Sequence, residues 1–435
     1  MRRVPPRIVI RDALLAGEPP LGGASVVVEG RRVARVARAG ERVEPQPGDW
    51  EVDAAGRLLL PGAVDAHAHL AAGALLRLLG LDGRRAASRA EARGRIEERL
   101  DGAALEALAA AAALDALRAG VTCVLDLVRA APGREDEALP AVARGVGACG
   151  LRAALAYGAS DRGGEERGLA GVRASAAFAE AAKREPSLRA MAGLDGLAHA
   201  GPATLAELAG PAARFGLQVA VGEDEADLAR AYAATFLRPV QFLGAGGLLG
   251  PRTVVAHGGA LAAAEASLLA RTESWLAVTP RADRFWTAEP PPLEMLAAHG
   301  CSLALGTDGL FPDVAGEAAD LALEVRRPRH GSPPAELLGR VLWPGGGALA
   351  SQLFGERLGV VEAGALADLV GLAWRPPLPL PDGQPGDLVL LWSGARAAWS
   401  IVDGVVRLRE GRLLGGDEVE IAARAREAAA RVLAA

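Results

Sequence analysis

Short apolar runs recur along the whole chain, but what separates them changes twice. Over residues 1–60 the runs "RIVI", "SVVVEG", "RRVARVAR" and "RLLLPG" are broken by Gly and Pro, which predicts strands joined by turns. From about 61 to 350 the runs alternate with longer Ala/Leu/Arg-rich stretches at helical spacing. There the predicted strands are "LLLPGAVDAH", "VTCVLDL", "LRAALAYG", "LRAMAGLDGL", "LQVAVG", "TVVAH", "WLAVTP" and "SLALGTD". After about 359 closely spaced strands return in "LGVVEAGALADLVGLAW" and "AAWSIVDGVVRLREGRLL", where "VDGVV" predicts a hairpin. The final "DEVEIAARAREAAARVLA" opens on acids and continues as Ala/Arg at helical spacing, so it reads as a terminal helix.

Eight strands alternating with helices fit a (β/α)8 barrel better than a dinucleotide-binding sheet, because no GxGxxG opens any of the helices. The two strand-rich ends are each incomplete alone, so they are expected to pair. The expected layout is a TIM-like barrel over 61–354, with one small β-sandwich built from 1–60 and 355–415 and a C-terminal helix over 416–435. Pro-rich "WRPPLPLPDGQPGD" reads as a surface linker between late strands.

Composition narrows the class without naming a reaction. A chain of 435 residues with 51% hydrophobic content can bury a large core. Its net charge of −5 is mild for that length, and no nucleic-acid or membrane partner is expected. Three widely spaced cysteines form no CxxC, and no apolar run reaches membrane-span length, which points to a reduced, cytoplasmic setting.

Active sites of such barrels lie at the C-terminal ends of the strands, and several histidines and acids fall there. His67 and His69 in "PGAVDAHAHL" are two apart at the end of the first barrel strand, so period-two alternation points both rings one way. Two imidazoles on one side make a metal site a better reading than a pair of loop histidines. Asp308 in "LALGTDGL" ends the eighth strand, where a carboxylate can bind metal or take a proton, although "TDG" is also good turn chemistry. His257 ends the sixth strand, Glu223 follows the fifth and His199 lies just past the fourth, ahead of an expected N-cap Thr. Taken singly, these three read as a packed His, a solvated charge and a loop His. His299 reads as a helix C-terminal residue and His330 as part of a polar Arg-rich loop.

Together and in order, "PGAVDAHAH", "GLLGPRTVVAHGGAL", "LALGTDG" and "LGVVEAGALADLVGL" resemble the amidohydrolase superfamily. The likeness is to its deaminase and chlorohydrolase branch, and the tail is most similar to SsnA-type aminohydrolases. The resemblance spans nearly the whole chain. It implies the barrel with a β-sandwich from both termini and one divalent metal ion, usually zinc or iron. It implies a small-molecule substrate, and it allows a homodimer. By resemblance, His67, His69 and Asp308 are metal ligands and Glu223 is the proton shuttle of an HxxE pair. His257 polarises the substrate, and His199 contacts it. The fifth-strand ligand of the family falls on Ala220, which binds nothing, and Gln218 two residues earlier is a poor transition-metal ligand. The segment "TPRADRFW" departs from the family's Asn-Pro-x-Ser-Asn on the seventh strand. The sole lysine, Lys183, lies ahead of the fourth strand, which argues against a carbamate-bridged binuclear site.

Two readings follow. One is a metal-dependent hydrolase of carbon–nitrogen bonds other than peptide bonds, such as a deaminase of a small heterocycle, with a metal site weakened at Ala220. The other is a degenerate paralogue that keeps the fold for binding or assembly. Retention of Glu223, Asp308 and the His pair together favours the hydrolase.

Overall fold

The computed structural model describes residues 7–15, 21–79, 89–221, 228–229, 232–233, 235–286, 288–325, 341–375 and 394–434. Glu223, His330 and most of the Pro-rich linker lie outside the described residues.

The first strands are β1 (Ile8–Leu15), β2 (Leu21–Glu29), β3 (Arg32–Ala37), β4 (Trp50–Asp53) and β5 (Leu58–Pro61). The barrel strands are β6 (Ala63–Ala68), β7 (Val121–Val128), β8 (Arg152–Ala159), β9 (Leu188–Leu194), β10 (Leu217–Val221), β11 (Thr253–His257), β12 (Trp275–Val278) and β13 (Ser302–Leu305). The last are β14 (Leu369–Leu372), β15 (Ala397–Val402), β16 (Val405–Arg409) and β17 (Arg412–Leu413).

Strands β6 to β13 form one parallel sheet in sequence order, with helices between them. Parallel strands covered on both faces need not alternate apolar with polar residues, and "VTCVLDLV" of β7 is buried throughout. The intervening helices carry their own stop signals. Asp101 accepts a hydrogen bond from the Ala104 amide at the start of helix 102–118, and Gly150 at φ 72° ends helix 135–149.

The ladder stops short of a ring, because the described pairings do not include β13 with β6. The turn after β13 bridges that gap. The Thr307 and Asp308 amides donate to the His67 carbonyl at 3.0 and 2.9 Å. The Thr307 amide and hydroxyl also donate to the Asp65 carboxylate at 3.0 and 2.5 Å.

The two ends of the chain build a second sheet, in the order β17-β16-β15-β14-β5-β1-β2-β3, with β4 beside β1. The joining pair is β5 with β14, antiparallel, Leu60 opposite Val370. Residues from both ends share one core, among them Ile10, Val26, Leu369, Trp399 and Ile401. The eight-stranded barrel with a separate sheet from both termini is therefore the observed architecture. Residues Asp403 and Gly404, at φ 56° and 73°, form the tight turn expected in "VDGVV". The tail is helical over Glu418–Ala434, with Asp417 accepting from the Val419 and Glu420 amides.

Three local expectations change. The stretch read as one first strand is two, because Gly62 divides β5, which ends at Pro61 in the terminal sheet, from β6 in the barrel. Of "LGVVEAGALADLVGLAW" only Leu369–Leu372 is a strand, since residues near Gly364 turn to hydrogen-bond with Val33 instead. Helix 202–215 starts after Gly201, so Thr204 lies inside it and donates to Asp161.

Candidate metal centre

The site is built where β6 ends. Leu70 opens the following helix, and its amide donates to the buried Asp126 of β7 at 2.8 Å, which satisfies one of the orphan donors of that helix end. His69 is thereby held between strand and helix, and its Nδ1 donates to the Leu127 carbonyl at 2.7 Å. That bond leaves Nε2 as the ring's lone-pair atom. Burial, then Arg93 and His67, hold the His69 pKa well below the ordinary imidazole value, so the ring is neutral, the form that binds metal. On His67 the Gln218 side-chain NH2 donates to Nδ1 at 2.9 Å, which is the opposite tautomer to that of His69; with the amide turned end for end, its oxygen would accept from Nδ1 and the lone pair would lie on Nε2.

With both Nδ1 edges engaged, the Nε2 atoms face Asp308. His67 Nε2 and His69 Nε2 lie 3.8 and 3.6 Å from Asp308 Oδ1. The donor atoms of His67, His69 and Asp308 lie within 4.8 Å of one another, and all three residues are buried. Among the described residues His69 Nε2 has no hydrogen-bond partner. Two imidazoles and a carboxylate fit zinc or iron in ligand type and number.

Backbone geometry singles out the same place. His257 and Asp308 have φ of 74° and 55°, the only buried non-glycine residues among the described ones in the left-handed region. Such strain persists where the surrounding structure enforces it, and it concentrates at functional sites. Gly309, at φ 71°, allows the chain to pass His69, because a Cβ there would sit 2.5 Å from the His69 carbonyl oxygen.

His257 stands on the next side of the site, its ring centroid 5.2 Å from that of His67 and nearly perpendicular to it. Its Nδ1 lies 3.0 Å from Thr279 Oγ1 and 3.4 Å from Asp283 Oδ1. His199 is partly exposed in a short turn beyond β9, with its Nε2 2.6 Å from an Arg162 amino group. The structure thus gathers His67, His69 and Asp308 with His257 beside them, while His199 sits on the rim against Arg162. Gln218 reaches His67, so that face of β10 looks into the barrel, and strand alternation puts Ala220 on the same face one step nearer the mouth. Lys183 is exposed at a helix end, paired with Glu180, and His299 is a helix C-cap.

Several other residues support the site, and all of them except Asp65 escaped the reading of the sequence. Asp65 ties the His-bearing strand to the Thr307 turn, and burial, against the Thr307 hydrogen bonds, pushes its pKa up to about 7. Its place two residues before His67 was the available signal. Behind His69, the buried residues Arg93, Glu97, Arg129 and Asp195 form an ion-pair network. Burial alone would raise the Asp195 pKa, but Arg129, Arg93 and Arg162 outweigh it and hold the carboxyl below its ordinary value. No local pattern marks these residues, because three separate segments contribute them.

A barrel that brings a first-strand His pair and an eighth-strand Asp together at its C-terminal rim defines a class of metal-dependent hydrolases. The chain belongs to the amidohydrolase family, whose profile matches residues 58–404, and it is a hydrolase. It is 30% identical over 442 aligned positions to 5-methylthioadenosine/S-adenosylhomocysteine deaminase 2 of Archaeoglobus fulgidus, covering 97% of this chain and 98% of that one. It is 28% identical to the 5'-deoxyadenosine deaminase of Methanothermobacter thermautotrophicus, covering 89% and 90%. These relatives agree with the deaminase branch. Among solved structures, a zinc-bound adenosine deaminase from Xanthomonas campestris superposes with a TM-score of 0.82 at 19% identity, covering 99% of each chain. The zinc complex of atrazine chlorohydrolase from Arthrobacter aurescens gives 0.76 at 20% identity, covering 97% and 100%. At those identities the superpositions speak for the fold. No helix among the described residues is long and apolar enough to cross a membrane.

Proposed function

We propose that this hydrolase removes an amino group from a small heterocyclic substrate, of the adenosine-derived class named for its relatives, with one divalent metal held by His67, His69 and Asp308. The observation that carries the reading is the buried convergence of those three donors at the C-terminal rim. Zinc suits the set best and iron is the alternative. When bound, such a metal supplies Lewis acidity and a water that ionises near neutral pH.

The chain's own groups have separable tasks. The Leu127 carbonyl and the Gln218 amide fix the two imidazoles, so the rings meet substrate and metal in one orientation. Asp308 stands close enough to both Nε2 atoms to serve as a ligand and to accept a proton. Glu223 is assigned by resemblance to carry a proton between attacking water and leaving amine. His257 is assigned by resemblance to polarise the substrate and His199 to contact it, with Arg162 against the His199 ring. Position 220 offers no donor, so affinity for the metal is reduced if His67, His69 and Asp308 act alone.

Ammonia release is the test. Zinc-loaded protein should deaminate at least one of 5'-methylthioadenosine, S-adenosylhomocysteine and 5'-deoxyadenosine, and Asp308→Ala should abolish that activity. If stoichiometrically loaded protein released no ammonia from any amino-heterocycle in a broad panel, the deaminase reading would fall.

A further inference from the structure

The alanine at position 220 and the setting of His257 belong together. Ala220 pairs with Ala256 and Val221 pairs with His257, so the position without a ligand and the sixth-strand histidine are neighbours on adjacent strands. The methyl group at 220 contributes no donor on that side. The left-handed backbone at His257 redirects its side chain at the strand end.

The hydrogen bonds around His257 have a direction. An ionised carboxylate only accepts, so the Thr279 hydroxyl donates to Asp283 Oδ1 at 3.0 Å. The hydroxyl hydrogen is then used, and the 3.0 Å contact between Thr279 Oγ1 and His257 Nδ1 requires Nδ1 to donate. In the neutral ring this places the lone pair on Nε2. Imidazoles that bind metal characteristically have the other nitrogen held this way by a carboxylate, a carbonyl or a relay between them. His69 has its Nδ1 held in this way by the Leu127 carbonyl, and His257 is a second ring so held.

Ring spacing agrees. Two imidazoles bound through Nε2 to one tetrahedral zinc have centroids about 5 Å apart, given zinc–nitrogen bonds of about 2.0–2.1 Å. The His67–His69 and His67–His257 centroids are 4.9 and 5.2 Å apart, each pair nearly perpendicular. His257 falls outside the 4.8 Å cluster of the other three donors, so ligation requires its ring to shift toward them.

We propose that His257 supplies the metal's third imidazole in place of the one missing at position 220, with Thr279 and Asp283 as its positioning residues. This rests on the metal-hydrolase reading above and changes one role in it, from polarising group to ligand.

The test is zinc binding, read in two ways. X-ray absorption of zinc-loaded wild-type protein should count three imidazoles; a count of two would overturn the proposal and leave the hydrolase reading standing. Competition against a chromophoric chelator should show His257→Gln binding zinc at least about 10-fold more weakly, since even loss of a supporting partner costs that much. Asp283→Ala should weaken binding in the same direction, and Asp283→Asn, which still accepts from Thr279, should recover most of it. Unchanged affinity in a folded His257→Gln would overturn the proposal. Failure of the wild type to bind zinc stoichiometrically would overturn both this proposal and the reading it rests on.

Discussion

Asp65 offers the most informative perturbation, because it closes the barrel where the strand ladder does not. Its carboxylate accepts from the Thr307 amide and hydroxyl and, at 3.3 Å, from the His67 amide, all in buried surroundings. Asp65→Ala leaves the Thr307 hydroxyl without that acceptor and weakens two amide contacts. A stranded buried donor costs about 1–3 kcal/mol, and a hydrogen bond to a charged group is worth about 1.5–3 kcal/mol. Release of a buried carboxylate offsets part of this, so a net loss of about 2–4 kcal/mol is expected.

Asp65→Asn separates charge from shape. The folded-state pKa of about 7 is raised above the unfolded value, so the protonated carboxyl is the form favoured by folding. Its contribution is fully present below the unfolded pKa of about 3.9 and is lost as pH rises through about 7. Asparagine mimics the protonated form and does not titrate. The stability of Asp65→Asn relative to wild type should therefore rise by about 2–3 kcal/mol between pH 5 and pH 8, at 1.36 kcal/mol per pH unit over most of that window. Urea unfolding of chelator-treated wild type, Asp65→Ala and Asp65→Asn at both pH values measures this, and taking differences cancels the other titrating groups. A pH-independent gap between wild type and Asp65→Asn, or an Asp65→Ala cost under about 1 kcal/mol, would refute the reasoning.

Other expectations follow from the same kind of reading. Arg152 is fully buried and holds Asp368 at 2.7 and 3.0 Å and Asp403 at 2.9 Å, joining barrel to terminal sheet. Arg152→Ala should destabilise by about 3–5 kcal/mol in denaturant titration, the usual cost of breaking a buried ion pair from one side. Gly309→Ala puts a Cβ against the His69 carbonyl at a left-handed residue, so it should lower zinc affinity and the melting temperature together. The Asp403 pKa is held down because Arg31 and Arg152 outweigh the opposing effect of burial, and that of Asp195 is held down by its arginines in the same way. Their stabilisation is present above the unfolded carboxylate pKa of about 3.9 and is lost as pH falls through the lower folded values. Melting curves below pH 4 should accordingly show a steep loss that Asp403→Asn makes shallower.

What the sequence determined by itself is the local part of this protein. Period-two and helical apolar patterns are written in neighbouring residues, so the alternation of strands and helices, the hairpin at Asp403–Gly404 and the terminal helix were legible. So was the pairing of His67 with His69 on one side of a strand, since alternation needs only a spacing of two. Resemblance extended that reading to Asp308, hundreds of residues away.

Tertiary structure decided what depends on several segments at once. Leu60 meets Val370 because each end of the chain has a strand edge that only the other covers. Gln218 looked like a poor ligand in a line of text, yet it is the residue that holds the His67 ring. Asp283 read as a departure from a familiar motif, and in the fold it ends the relay that orients His257. Hydrogen bonds and ion pairs of this kind act over a few ångströms between residues far apart in sequence, and no periodicity records them.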